Sequence, residues 1–120
     1  MAQAIPPHLA VLDGFEAMDG AGPVDGQAVP WGVAIASADP VAADSLAAYL
    51  LGLPCPAYLH YCQEAGLGHS DLDLIQVVGE KPEAWRCPIQ PHPDFKTQVA
   101  QQRDGLEQRP LGELLGLRET

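Results

Sequence analysis

The segment Ile35-Ala-Ser-Ala-Asp39-Pro40-Val-Ala-Ala-Asp44-Ser-Leu-Ala-Ala-Tyr-Leu-Leu-Gly52 constrains the fold more than any other part of this chain. An apolar run meets a helix start. Asp39 can accept a hydrogen bond from the free N–H groups of a first helical turn, and Pro40 at the first helical position gives up a donor that has no partner there. The pattern predicts a strand-to-helix junction. From Val41 to Leu51 apolar residues fall on nearly every face, as in a helix packed on both sides, and Gly52 with Pro54 just beyond it marks the end. Asp44 is the single carboxylate in that body. It is expected to be mostly buried and bonded to backbone N–H groups of the stretch from Gly14 to Gly26 or to a nearby hydroxyl, because a buried charge without a partner costs several kcal/mol.

Around this junction the chain reads as an α/β unit. Leu9 to Leu12 is a short strand ending at Asp13-Gly14, and Gly32-Val-Ala-Ile-Ala36 has the unbroken apolar pattern of a central strand covered on both faces. Between them, glycines 14, 20, 22 and 26 and prolines 23 and 30 interrupt any period, so residues 14–30 read as a long loop and a binding-site candidate. A second helix is predicted from Pro56 to Ala65, closed by Gly66 in the left-handed position and Leu67 folding back. Asp71 to Gly79 reads as a third strand. The expected architecture is a small mixed, partly parallel sheet of about three strands, with strands two and three joined by a right-handed crossover and with two main helices. Residues 1–80 form the expected domain. Residues 81–120, broken by Pro82, Pro88, Pro91 and Pro93, form a wrapping tail with short helices at Asp94 to Leu106 and Leu111 to Leu117.

Sixteen acidic against six basic residues give a formal charge of −10, which repels phosphate backbones and anionic lipid surfaces. Nucleic acid and membrane are therefore unpromising partners. The first residues lack the basic start and apolar stretch of a signal peptide, and a cytoplasmic location is expected by default. Cys55, Cys62 and Cys87 are odd in number and show no C-x-x-C pair, so reduced thiols are expected and no iron–sulfur cluster held by this chain.

Four stretches, Val11-Leu-Asp-Gly-Phe-Glu-Ala-Met-Asp-Gly-Ala-Gly-Pro-Val-Asp-Gly26, Ala36-Ser-Ala-Asp-Pro-Val-Ala-Ala-Asp44, Glu64-Ala-Gly-Leu-Gly68 and Val77-Val-Gly-Glu80, together resemble the carboxyl half of the domain-of-unknown-function family 362. The resemblance runs over about residues 8 to 80. Members often carry a ferredoxin-type module with four-cysteine clusters, which implies redox surroundings and a redox partner protein. That module and the amino half are not in this sequence, and the resemblance leads us to expect either a truncated product or a short form that completes its sheet by association. It implies no established activity.

If strands one and two run parallel, Asp13 and Asp39 leave the sheet at the edge where open α/β sheets hold ligands. Asp13, Asp39 and Asp44, with Glu16 and Asp19 nearby, offer oxygen ligands suited to a divalent cation, and Gly20, Gly22, Gly26 and Ser37 would let a small ligand approach. The bland readings stand beside these: Asp13 as a turn residue, Asp39 as a plain cap, Asp44 as a structural acceptor. No P-loop, dinucleotide fingerprint or nucleophile elbow occurs. His8, His60, His69 and His92 are scattered without a carboxylate at metal spacing, and Trp31, Tyr58 and Tyr61 read as core or rim aromatics. Two functions remain open. One is a non-catalytic module that self-associates as a homo-oligomer or joins a redox partner. The other is an enzyme or ligand-binding domain with a carboxylate-lined pocket.

Overall fold

The computed structural model describes residues 1–108. Two strands, β1 (Ala10–Ala21) and β2 (Asp25–Ser37), pair as an antiparallel hairpin. They are followed by α1 (Pro40–Leu50), α2 (Ala57–Glu64), short 3-10 turns at Leu72–Leu74 and Pro82–Trp85, and α3 (Phe95–Gln108). The fold is thus mixed α/β with three helices and a two-stranded sheet among the described residues. The helix expected from Asp94 is present as α3, whereas the one expected at Leu111 to Leu117 lies outside the described residues.

The sheet departs from expectation in three ways. Residues 14–30 are the distal half of the hairpin, paired from Glu16↔Pro30 to Ala21↔Asp25, and not a loop. Glycine and proline dilute the alternation of side chains that marks a strand, but the ladder needs only backbone groups. Where Phe15 alone faces Trp31 and Gly32, the register shifts, and Gly32 adopts φ 72°, the conformation of a glycine bulge. Secondly, the first two strands are antiparallel, because a three-residue turn joins them directly and a parallel pair would need a crossover. Thirdly, no strand forms over Asp71 to Gly79. The Asp71 carboxylate accepts the Asp73 N–H at 3.0 Å, a local bond that draws the chain into a 3-10 turn.

The expectation for α1 holds. Val41, Ala42, Ala43, Ser45, Ala47, Ala48 and Leu50 are all buried, and the helix touches both strands, α2 and both 3-10 turns. Its end follows the sequence signal: Gly52 at φ 70° lets its own N–H reach the Tyr49 carbonyl and that of Leu53 reach Ala48. The same pair of bonds, Gly66 to Gln63 and Leu67 to Cys62, closes α2. On the hairpin, Leu12, Val33 and Ile35 are half-buried on the α1 side, while Val11, Ala34 and Ala36 are exposed on the other.

Trp31 ties the following segment to this body. Its ring lies against Gly14, where a β-carbon would come within 2.6 Å of the indole, and its Nε1–H donates to the Trp85 carbonyl at 2.9 Å. Downstream, the N–H groups of Cys87 and Ile89 reach the Leu50 and Leu51 carbonyls at the end of α1. Gln90 then bonds both ways with the hairpin tip, donating to the Asp19 carboxylate and accepting from the Gly20 N–H. The Arg86 guanidinium lies 4.6 Å from the centre of the Tyr49 ring.

Candidate functional site

The start of α1 is where the sequence placed most of its chemistry. Asp39 caps the helix by accepting the Ala42 N–H at 2.9 Å through Oδ1. Its other oxygen accepts the His69 N–H at 2.9 Å and lies 3.1 Å from His69 Nδ1, so residues 68–69 fold over the helix start. A β-carbon at Gly68 would overlap the Asp39 carboxylate, so only glycine permits this approach. Ser37 contributes from the strand side, its Oγ accepting the Asp39 N–H at 3.0 Å. The His69–Asp39 pair is a carboxylate contact that a search for metal spacing along the sequence does not reveal. The two meet across thirty residues of chain, a separation that spacing rules do not sample.

Partial burial pushes the Asp39 carboxyl up, but the N–H bonds from Ala42 and His69 and the His69 ring outweigh it and hold the group below the usual carboxylate range. A lowered folded-state value contributes stability that is complete above the ordinary carboxylate range and is lost as pH falls through the folded value. The acid limb of a denaturation-against-pH curve is therefore expected to steepen below about pH 4 in the wild type and to flatten in Asp39→Asn. At neutral pH, Asp39→Ala should cost about 1 kcal/mol, and Asp39→Asn less, since the amide oxygen still caps Ala42. Equal losses in the two variants would show that the charge, and not the cap, is what the site needs.

Asp44 is exposed, contrary to the expectation of burial, and among the described residues its hydrogen bond is to α2 and not to the hairpin tip. Of the two partners expected for it, the hydroxyl is the one present: Tyr58 on α2 donates to Oδ2 at 2.9 Å. The reason is rotational, because this position of α1 turns toward α2 and away from the strands. Partial burial, then the bond to Asp44, push the Tyr58 phenol up to about 12, so it remains a donor throughout the physiological range.

Asp13 lies on the exposed side of β1 opposite Ala34 and accepts the N–H of Phe15 at 3.0 Å. In an antiparallel hairpin it is five positions from Asp39 along the ladder, about 17 Å at the usual strand rise. The structure therefore does not bring Asp13, Asp39 and Asp44 together. Among the described residues no three His, Cys, Asp or Glu side chains are grouped to hold a metal ion. At the hairpin tip the space beside Gly22 and Gly26 is taken by the Met18 side chain, whose atoms lie 3.1 Å and 2.5 Å from where β-carbons would stand. Gly20 is open.

A larger concavity lies elsewhere. A groove of about 460 Å³ runs beside β2, walled by Val33 to Ser37 on one side and by Ile75 to Glu80 on the other, and floored by α1. Ser37 is the one expected ligand residue that lines it. Sequence reading missed this groove because it arises where an expected strand fails to pair. The hairpin and α1 follow one another directly in the chain, from Ala10 to Leu50.

Residues 1–49 match the domain of unknown function (DUF362). The DUF362 match takes in β1, β2 and all but the last residue of α1, and with them the first two of the four stretches on which the resemblance rests. Glu64 to Gly68 and Val77 to Glu80 fall outside the DUF362 match. No curated protein and no solved structure matches the chain. No helix among the described residues is long and apolar enough to cross a membrane.

Proposed function

We propose that this chain is a non-catalytic α/β module that acts by association, either with a second copy of itself or with a redox partner protein, in the reducing setting of the cytoplasm. The observation that carries the reading is the bare outer side of the hairpin. Leu9, Val11 and Phe15 are 63%, 68% and 79% exposed, and Ala34 and Ala36 lie exposed on the same sheet. A two-stranded sheet is marginal by itself, and here one side is covered by α1 while the other presents apolar residues to water. Covering that side with another chain removes apolar surface at about 25 cal/mol per Å².

Sedimentation of the full chain at tens of micromolar tests this. We expect an assembly larger than a monomer, or a monomer that is converted to a complex by its redox partner. Val11→Ser combined with Phe15→Ser should abolish either state without altering the helical circular dichroism. A well-folded monomer that forms no complex with a redox partner, or an assembly that both substitutions leave intact, would remove the reading.

The alternative of a small-ligand site draws on one observation, the size of the groove beside β2, which falls within the usual range of about 300–1,000 Å³ for ligand pockets. Its polar side chains are Ser37, Gln76 and Glu80, in otherwise apolar surroundings, so the molecule it suits is apolar and not a bare cation.

A further inference from the structure

We propose that the groove between β2 and residues 75–80 is a slot for one extended strand of a partner protein, with apolar residues at alternate positions and basic residues at its ends. This rests on the association reading and names the partner's chemistry.

The lining is the first argument. All five consecutive residues from Val33 to Ser37 face the groove, including Ala34 and Ala36, which point away from α1. A cavity lying on a sheet face would touch every second residue. One that touches all of them lies along the strand's edge. Among the described residues that edge is unpaired: the backbone ladder of β2 is with β1, and no backbone hydrogen bond joins Val33 to Ser37 with Ile75 to Glu80. The alternate N–H and C=O groups of β2 are available to an added strand, as in other cases of strand addition. On the far wall Ile75 is also extended, at φ −100° and ψ 122°.

The floor and the dimensions fit the same occupant. Ala42, Ala43, Leu46 and Leu50 form a single stripe of α1, small at one end and large at the other, on which every second side chain of an inserted strand would rest. A five-residue strand is about 17 Å long and takes up about 4.8 Å between its neighbours in a sheet. The groove holds about 460 Å³.

Charge chooses between partners. The chain carries −10, and the one charged residue that lines the groove, Glu80, is acidic. A second copy brings the same −10 to the contact, whereas a strand with basic ends is drawn to it.

The test titrates the full chain with the peptide Lys-Lys-Val-Thr-Val-Thr-Val-Lys-Lys, followed by amide NMR. Two controls are the same peptide with glutamate for lysine and the same peptide N-methylated at alternate residues, which removes the donors of one edge. The lysine peptide should shift the amides of Val33 to Ser37 and Ile75 to Gly79, and should bind at least about tenfold more tightly than either control. Equal binding of the N-methylated peptide, shifts confined to Val11 and Phe15, or no binding would each overturn the slot. Sedimentation of the same sample separates the two claims. If association through Val11 and Phe15 persists while the slot fails, only the slot is lost.

Discussion

Trp31→Ala is expected to destabilise the chain by about 3–5 kcal/mol, the usual cost of emptying a buried aromatic site. The side chain is 7% exposed, lies against Gly14, and holds the strap that follows residue 80 through its bond to Trp85. The loss is large against a total of about 5–15 kcal/mol for a domain of this size. Urea unfolding measures it, and amide exchange should locate it. Cys87, Ile89 and Gln90 should lose protection, because their bonds to α1 and the hairpin tip are anchored by that indole. Trp31→Phe retains most of the ring and gives up the Nε1–H bond, so its cost should fall near 1 kcal/mol. A Trp31→Ala loss below about 1 kcal/mol would mean that the strap is not fastened there.

The second large effect is expected at Leu59, which at 1% exposure is the most deeply buried side chain of α2. An eight-residue helix has no stability of its own in water and depends on docking. Leu59→Ala should cost about 2–5 kcal/mol, with the cavity between α1 and α2 accounting for the spread. The helix α2 also carries Gln63, whose Oε1 accepts from the Ser70 N–H and hydroxyl and so fixes the segment that brings His69 to Asp39. Hydrogen exchange across Ala57 to Glu64 should then quicken as a block, followed by that of His69. An unchanged exchange pattern would contradict the docking of α2 through this residue.

The parts of the fold legible in the sequence were those decided locally. Asp39 and Pro40 opened α1 because a cap and a missing donor are properties of adjacent residues, and Gly52 and Gly66 closed their helices for the same reason. The hairpin was half legible: Gly32 to Ala36 read as a strand, while Gly20, Gly22 and Pro23 concealed its continuation. The apolar run over Leu72 to Val78 misled, since composition cannot show that Asp71 bonds its own neighbour two residues on. Of the site, the cap and the hydroxyl partner of Asp44 were within reach. The contact of His69 with Asp39 and the groove beside β2 were not, because both depend on which segments lie side by side in space.

The close approaches at Gly14 and Gly68 bear on how sequences related to this one should be read. At the first a β-carbon would run into Trp31, and at the second into the carboxylate that caps α1. Any descendant that keeps the hairpin, the indole and the cap must keep glycine at both places, whatever it binds. Invariance at these positions, and at Asp39 itself, would therefore record a shared architecture and not a shared chemistry. Variation informative about partners should instead be sought at Val11, Phe15, Ala34 and Ala36, where the backbone imposes no such demand and selection acts on what the surface meets.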